Sequence, residues 1–391
     1  MKRVLIFSLA YYPSFVSGAE AAIKEITDRI EPTDIEFHLI TLLFEKKALR
    51  KEQIGNTTVY RVGFGGAYLS KILFIPLAAL KARSLDAKLH FDAVWSMMTY
   101  MLLPAVIVRA IGVKAPRILT LQDGDPYEKV FERAFVRPLA PLLNYGFRTT
   151  ALVQVISKYL ATWPPRRGYK GTIELVHNGA NPKDLKESVV QEDVDALKEK
   201  LGKKEGDVWL VNTARLVHQK GTDDTIRALL ELPEHVSFLV VGGGPEEEML
   251  KKLTEELNLG KRVIFTGSVD RNVVTTYRKA ADIFVGPSRS EGLGNAFLSA
   301  MASRLPVVAT QEGGLAEFIF DEKRNPDVPT TAWAVDADDS KQIADAVKDI
   351  LTNPEKVKRV GDAARDMVLK NYDWDLIATQ MRERVFGPVV G

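Results

Sequence analysis

Cysteine is absent from the 391 residues, which removes disulfides, thiolate metal ligands and cysteine nucleophiles together and fits a reducing compartment. The five histidines, His38, His90, His177, His218 and His235, form no metal-ligand spacing with acidic partners, so no catalytic metal is expected. The apolar N-terminal run Val4 to Ala10 is too short to span a membrane and lacks a signal-peptide cleavage context. It reads as a first buried strand. That strand leads into Tyr11-Tyr12-Pro13 rather than Gly-x-Gly-x-x-Gly, which argues against a nicotinamide dehydrogenase. No short-period repeat or low-complexity tract interrupts the chain.

What is present is enough apolar side chain, 46% of residues, to fill more than one core. Short β-branched runs alternate with longer helical patterns, the mark of parallel sheets wrapped by crossover helices. The first half offers strands over Val4 to Leu9, Glu36 to Thr41, Thr57 to Val62, Ala93 to Ser96, Arg117 to Leu121, Ala151 to Ile156 and Ile173 to Val176. The pattern restarts with Val208 to Thr213, Val236 to Val241, Val263 to Thr266, Ile283 to Val285 and Val307 to Ala309. Two doubly wound α/β units in tandem are therefore expected. Between them Lys183 to Asp207, dense in charge, reads as an exposed linker with one short helix, and Gly387 to Gly391 as a tail. Two such sheets facing each other create a cleft, and ligands bind outside the carboxyl ends of strands.

Three strand-to-helix turns in the second half carry chemistry-bearing residues. The densest runs from Pro287 to Ala309, with Glu291 in the loop and Gly292 and Gly294 allowing close backbone approach to a ligand before a helix whose positive end suits phosphate. Arg215 to Gly221 follows the strand Val208 to Thr213 and brings two cations, Arg215 and Lys220, able to grip phosphate oxygens. Val241-Gly242-Gly243-Gly244-Pro245 is the third such turn.

These segments, with Asn178-Gly179 and Gly313-Gly314-Leu315-Ala316-Glu317, resemble group 1 glycosyltransferases, family 4 of the GT-B fold. The resemblance covers nearly the whole chain and is strongest from Asn178 to Ile319. It implies two Rossmann-like domains facing each other across a cleft: residues 1–185 binding the acceptor, 186–372 binding a nucleotide sugar, and a helix over 373–391 packing back on the first. The implied activity is transfer of a sugar from a nucleotide diphosphate donor with retention of configuration, with no metal and no cofactor. Closure of the two halves would exclude water and assemble the site. Arg215 and Lys220 would bind the diphosphate and neutralise the leaving group. Glu291 would accept hydrogen bonds from donor-sugar hydroxyls, and Gly292, Leu293, Gly294 and Asn295 would line sugar and phosphate. Phe265 to Val269 matches the family's base-contacting turn, Gly244 belongs to the same donor side, and Gly18 lies in a loop that reaches toward the phosphates. There Ser17 stands where a second glycine is common.

Two departures from the family pattern bear on activity. Ser299, eight residues after Glu291, occupies the place of a second glutamate that binds ribose, and is too short for the same bidentate contact. Gln122 stands where the family often has a histidine. Gln cannot accept a proton, so a base role passes to Asp123, Asp125 or the donor phosphate. These departures leave open an alternative, a nucleotide-sugar-binding pseudoenzyme that supports a partner transferase. A hydrolysing epimerase or a phosphorylase would need further signature groups that are missing.

Charge is divided unevenly. Residues 1–185 carry 25 Lys and Arg against 16 Asp and Glu, and residues 186–391 carry 28 against 35, so the halves are +9 and −7. A basic front half with few interleaved aromatics and no binding motif does not point to nucleic acid, but suits a glycan or lipid-linked acceptor and peripheral contact with a membrane. The expected place is the cytoplasm, at the inner face of the membrane. The stretch Ala67 to Arg83, apolar around most of its circumference, would either lie against lipid or pack as a buried helix, the latter favoured by Pro76. Phe131 to Arg148, with Arg133 and Arg137, is a second basic stretch.

Overall fold

The computed structural model describes residues 1–13, 16–65, 68–186 and 188–391. The fully buried Val4, Leu5, Ile6 and Phe7 form the heart of β1 (Lys2–Phe7), which is followed by β2 (Ile35–Leu42), β3 (Lys51–Ile54), β4 (Thr57–Val62), β5 (Ala93–Met97), β6 (Arg117–Leu121), β7 (Leu152–Val155) and β8 (Thr172–Leu175). They make one sheet in the order β3-β4-β2-β1-β5-β6-β7-β8. Every neighbouring pair is parallel except β3 with β4. Strands buried on both faces read as continuous apolar runs, which is why most of them are visible in the sequence.

β9 (Val208–Thr213), β10 (Val236–Val241), β11 (Val263–Gly267), β12 (Ile283–Gly286), β13 (Val307–Ala309) and β14 (Trp333–Ala334) form a second, wholly parallel sheet in the order β11-β10-β9-β12-β13-β14. Counted within its own unit this is the 3-2-1-4-5-6 order of a dinucleotide-binding fold. The chain falls into two compact units, Met1–Asn178 with Trp374–Gly391, and Gly179–Asp373.

The C-terminal helical segments belong to the first unit because of what they bury. Trp374, Ile377, Met381, Val385, Phe386 and Val390 join Val4, Ile6, Ile35, Phe37 and Trp95 in one cluster. The Phe386 ring stands edge-on to Phe37 at 5.7 Å and to Trp95 at 5.1 Å, each pair contributing about 1 kcal/mol beyond burial. Gly387–Val390 is helical, so the expected tail is part of this packing.

On the other face of the first sheet the helix Tyr68–Leu89 buries Phe74, Ala78, Ala79, Ala82 and Leu85 against Leu5, Phe7, Ile40 and Val94, and runs unbroken through Pro76. Ala67, the start of the stretch singled out for lipid contact, lies outside the described residues. Among the described residues no helix is long and apolar enough to cross a membrane.

Most of the described residues in 183–207 are exposed, as expected of the linker, but one short helix is too few. The segment holds two helices, Pro182–Leu185 and Gln191–Leu201, and the second packs on the helix Val274–Ala280. Asp184 is fully buried and ion-paired with Arg278, itself 3% exposed, while Thr275 and Ser303 donate to it at 3.2 and 2.9 Å. Charge density suggested solvation, but the partner that takes Asp184 out of water lies 94 residues further on.

Candidate functional site

In the second unit β9 sits between β10 and β12, so the crossover from β9 leaves on one side and that from β12 on the other. At such a switch point a crevice opens outside the carboxyl ends of the strands. β9 ends at Thr213 and feeds the loop that carries Arg215 and Lys220, whereas β12 ends at Gly286 and feeds the loop that carries Glu291. Topology thus brings together residues 71 apart in sequence: the Lys220 ammonium is paired with the Glu291 carboxylate, and both are largely buried. The Ser288 hydroxyl donates to the same carboxylate at 3.4 Å. Arg215 is exposed and makes no ion pair among the described residues, so its guanidinium is available to a ligand.

The glycines around this crevice are required first by packing. A Cβ on Gly244 would lie 2.2 Å from the Leu216 carbonyl oxygen, where the turn after β10 crosses the turn after β9. Gly294 has φ +102 and immediately precedes the helix Asn295–Ala302, a conformation that a side chain would strain. Gly292 and Leu293 are buried, and Asn295 and Val269, beyond the end of β11, are half-buried. The Ser299 hydroxyl accepts from the Asn181 N–H at 3.0 Å and donates to the Asn295 carbonyl at 2.8 Å, so its one proton is used inside the unit.

In the first unit Gly18 opens the helix Gly18–Thr27, and the Glu20 carboxylate reaches back to the Ser17 N–H at 2.7 Å. Ser17 therefore serves as the helix cap in the place of the family's second glycine. After β6, Gln122 accepts from Asn178 at 2.8 Å, and Asp125 pairs with Lys129 at 2.9 Å and Arg133 at 3.3 Å. Asp123 is 5% exposed and accepts from the Thr99 hydroxyl at 3.0 Å. Burial pushes its carboxyl up to about 6, against the lowering effect of the Thr99 bonds. Thr99 follows Met98, which sits at φ +70 and ψ 160 just beyond β5. A side chain in that region costs on the order of 1–3 kcal/mol, and such strain gathers at functional sites.

Three contributors escaped sequence reasoning. Met98 and Thr99 are adjacent to β5 but carry no motif. Arg289 lies within the densest motif, yet its partners, Asp223, Asp224 and Asp338, are 49 to 66 residues away in sequence. Among the described residues no three His, Asp or Glu side chains are grouped so as to hold a metal.

Comparison with known proteins identifies the class. The structure superposes on sucrose-phosphate synthase from Thermosynechococcus elongatus with a TM-score of 0.84 over 99% of this chain and 100% of the other, at 19% identity. The fold is GT-B, that of nucleotide-sugar glycosyltransferases. Residues 193–367, the segment that builds the crevice, match the family model of glycosyl transferases group 1. One curated relative, the GDP-mannose-dependent alpha-(1-6)-phosphatidylinositol monomannoside mannosyltransferase of Mycolicibacterium smegmatis, is 34% identical over 188 residues. That alignment takes in 46% of this chain and 47% of the relative, so the chain spans about half the length of the curated relative it matches. The alpha-monoglucosyldiacylglycerol synthase of Acholeplasma laidlawii is 25% identical over 82% of this chain and 83% of its own.

Proposed function

We propose that this chain is a retaining, metal-independent glycosyltransferase of family 4 that moves a sugar from a nucleoside diphosphate sugar to a glycan or lipid-linked acceptor. The observation that carries the reading is the Lys220–Glu291 pair at the switch point, with Arg215, unpaired among the described residues, on the same loop. A diphosphate entering this crevice exchanges the Glu291 contact of Lys220 for phosphate oxygens and gains the fork of Arg215. Glu291 is thereby released to accept hydrogen bonds from the sugar hydroxyls. As the glycosidic bond to the diphosphate breaks, both cations stabilise the charge that develops on the leaving oxygen. The acceptor hydroxyl attacks the same face of the anomeric carbon, and its proton passes to the departing diphosphate.

In this scheme backbone from Gly292 to Asn295, with Gly244, Val269 and the Ser299 position, lines the donor. Asp123, Asp125 and Gln122 form the acceptor side, where an acid poised near pH 6 is suited to orienting a hydroxyl. The two named relatives are named for glycolipids, phosphatidylinositol monomannoside and monoglucosyldiacylglycerol, and the +9 charge of residues 1–185 suits an anionic membrane surface, which supports a lipid-linked acceptor taken from the cytoplasmic face.

Calorimetric titration with a panel of nucleotide sugars, without metal, tests the donor site. Wild type is expected to bind one nucleotide selectively, and Lys220→Ala or Arg215→Ala to weaken it by roughly ten- to a hundred-fold each. Binding indifferent to both substitutions would dismiss the assignment.

A further inference from the structure

Arg289 lies two residues before Glu291, and all three of its guanidinium nitrogens are engaged. Nε donates to Asp338 at 2.6 Å, Nη1 to the His218 carbonyl at 2.7 Å and to Asp223 at 2.9 Å, and Nη2 to Asp223 at 3.1 Å and Asp224 at 2.7 Å. Its backbone N–H donates to the Gln219 carbonyl at 2.8 Å. His218 and Gln219 begin the short turn that ends in Lys220, and Asp223 and Asp224 stand in the first turn of the helix Thr222–Ala228 that follows Gly221. One side chain therefore grips the Lys220 turn from the residues before it and the residues after it. Because Arg289 is anchored on the Glu291 loop, it also sets the spacing of the two loops. Only 13% of the side chain is exposed. Burial works against its charge, but the hydrogen bonds it donates to Asp223 and Asp338 outweigh this and hold its pKa above the ordinary value. A lysine has neither the fork nor the reach to make these bonds together.

Resting on the reading of Lys220 as a diphosphate ligand, we propose that Arg289 is a positioning residue for the donor: it fixes the turn that presents the Lys220 ammonium to the leaving diphosphate. Lysine on an eight-residue loop would otherwise sample many positions, and a displacement near 1 Å at such a group costs up to about a hundred-fold. The three carboxylates around Arg289 serve the same purpose. They tie down the guanidinium, although their negative charge by itself opposes a phosphate nearby.

That opposition gives a test with a sign. Titrate UDP, GDP and ADP, without metal, into wild type, Arg289→Ala, Arg289→Lys, Lys220→Ala, the Arg289→Ala/Lys220→Ala double variant and Asp224→Asn, checking each fold by thermal melting. For the nucleotide that binds wild type best, Arg289→Ala is expected to lose roughly ten- to a hundred-fold in affinity, with Arg289→Lys between the two. In the Lys220→Ala background the same substitution should cost no more than about threefold, because residues acting as one unit are not additive. Asp224→Asn should weaken binding, although removal of a nearby negative charge would strengthen it if simple electrostatics governed. Additive losses, or tighter binding by Asp224→Asn, would overturn the proposal while leaving the donor site intact. If Lys220→Ala binds like wild type, the donor reading falls and the proposal with it. Should Arg289→Ala not fold, Arg289→Lys and Asp224→Asn still decide the matter.

Discussion

Asp123 and Asp224 are carboxylates that burial pushes up to about 6, Asp224 further raised by the charge of Asp223 and opposed by Arg289. Their unfolded values lie near 4, so between about pH 4 and 6 the folded chain keeps protons that the unfolded chain releases. The stability each contributes is complete below pH 4 and is lost as pH rises through 6. For Asp123, buried throughout, Asp123→Asn keeps an acceptor for Thr99 and removes the cost of a buried charge. The variant should unfold like wild type at pH 4 and resist urea better at pH 8, by something of the order of 2–3 kcal/mol. A difference that does not change with pH would contradict this origin. Asp123 was visible in the sequence only as a carboxylate after a strand; what makes it unusual, the Thr99 hydroxyl and the strained Met98, comes from the neighbouring strand end and has no local signature.

Elements were legible where burial is two-sided. Thr57–Val62, Arg117–Leu121, Val208–Thr213, Val236–Val241 and Val307–Ala309 have the bounds read from the sequence, and the other expected strands shift by one or two residues. β3 was missed because it is a polar edge strand, Lys-Glu-Gln-Ile, with one face in water, and β14 because two residues carry no period. The helix Pro182–Leu185 was read as part of a linker for a different reason: its defining feature is the Asp184–Arg278 pair, whose two members sit on separate elements. An ion pair this deeply buried is costly to break and cheap to replace. Asp184→Ala should therefore destabilise the second unit by about 3–5 kcal/mol, whereas joint replacement of Asp184 and Arg278 by leucine and methionine should recover most of the loss, as read by thermal melting. Equal melting of Asp184→Ala and wild type would mean that Arg278 finds another partner.

For the whole molecule, composition and periodicity gave two α/β units, while the family resemblance supplied the GT-B fold and the roles proposed for Arg215, Lys220 and Glu291. Strand order was out of reach of both, and it is strand order that makes β9 and β12 neighbours and so joins Lys220 to Glu291. The glycines read as ligand-lining also prove to be what lets loops cross, as at Gly244. The departures Ser299 and Gln122 acquire physical content: each is held by asparagine, Ser299 by the Asn181 N–H and Gln122 by the Asn178 side chain. The central claim, sugar transfer with retention by this chain alone, is tested most directly by incubating the purified protein with the nucleotide sugar it binds and a glycolipid acceptor, and reading the anomeric configuration of the product by NMR. The account predicts turnover without added metal, the donor's α configuration kept in the product, and roughly a hundred-fold or greater loss of rate in Lys220→Ala. An inverted product would contradict the mechanism, and no transfer to any acceptor despite tight nucleotide-sugar binding would contradict the claim that the chain is an enzyme.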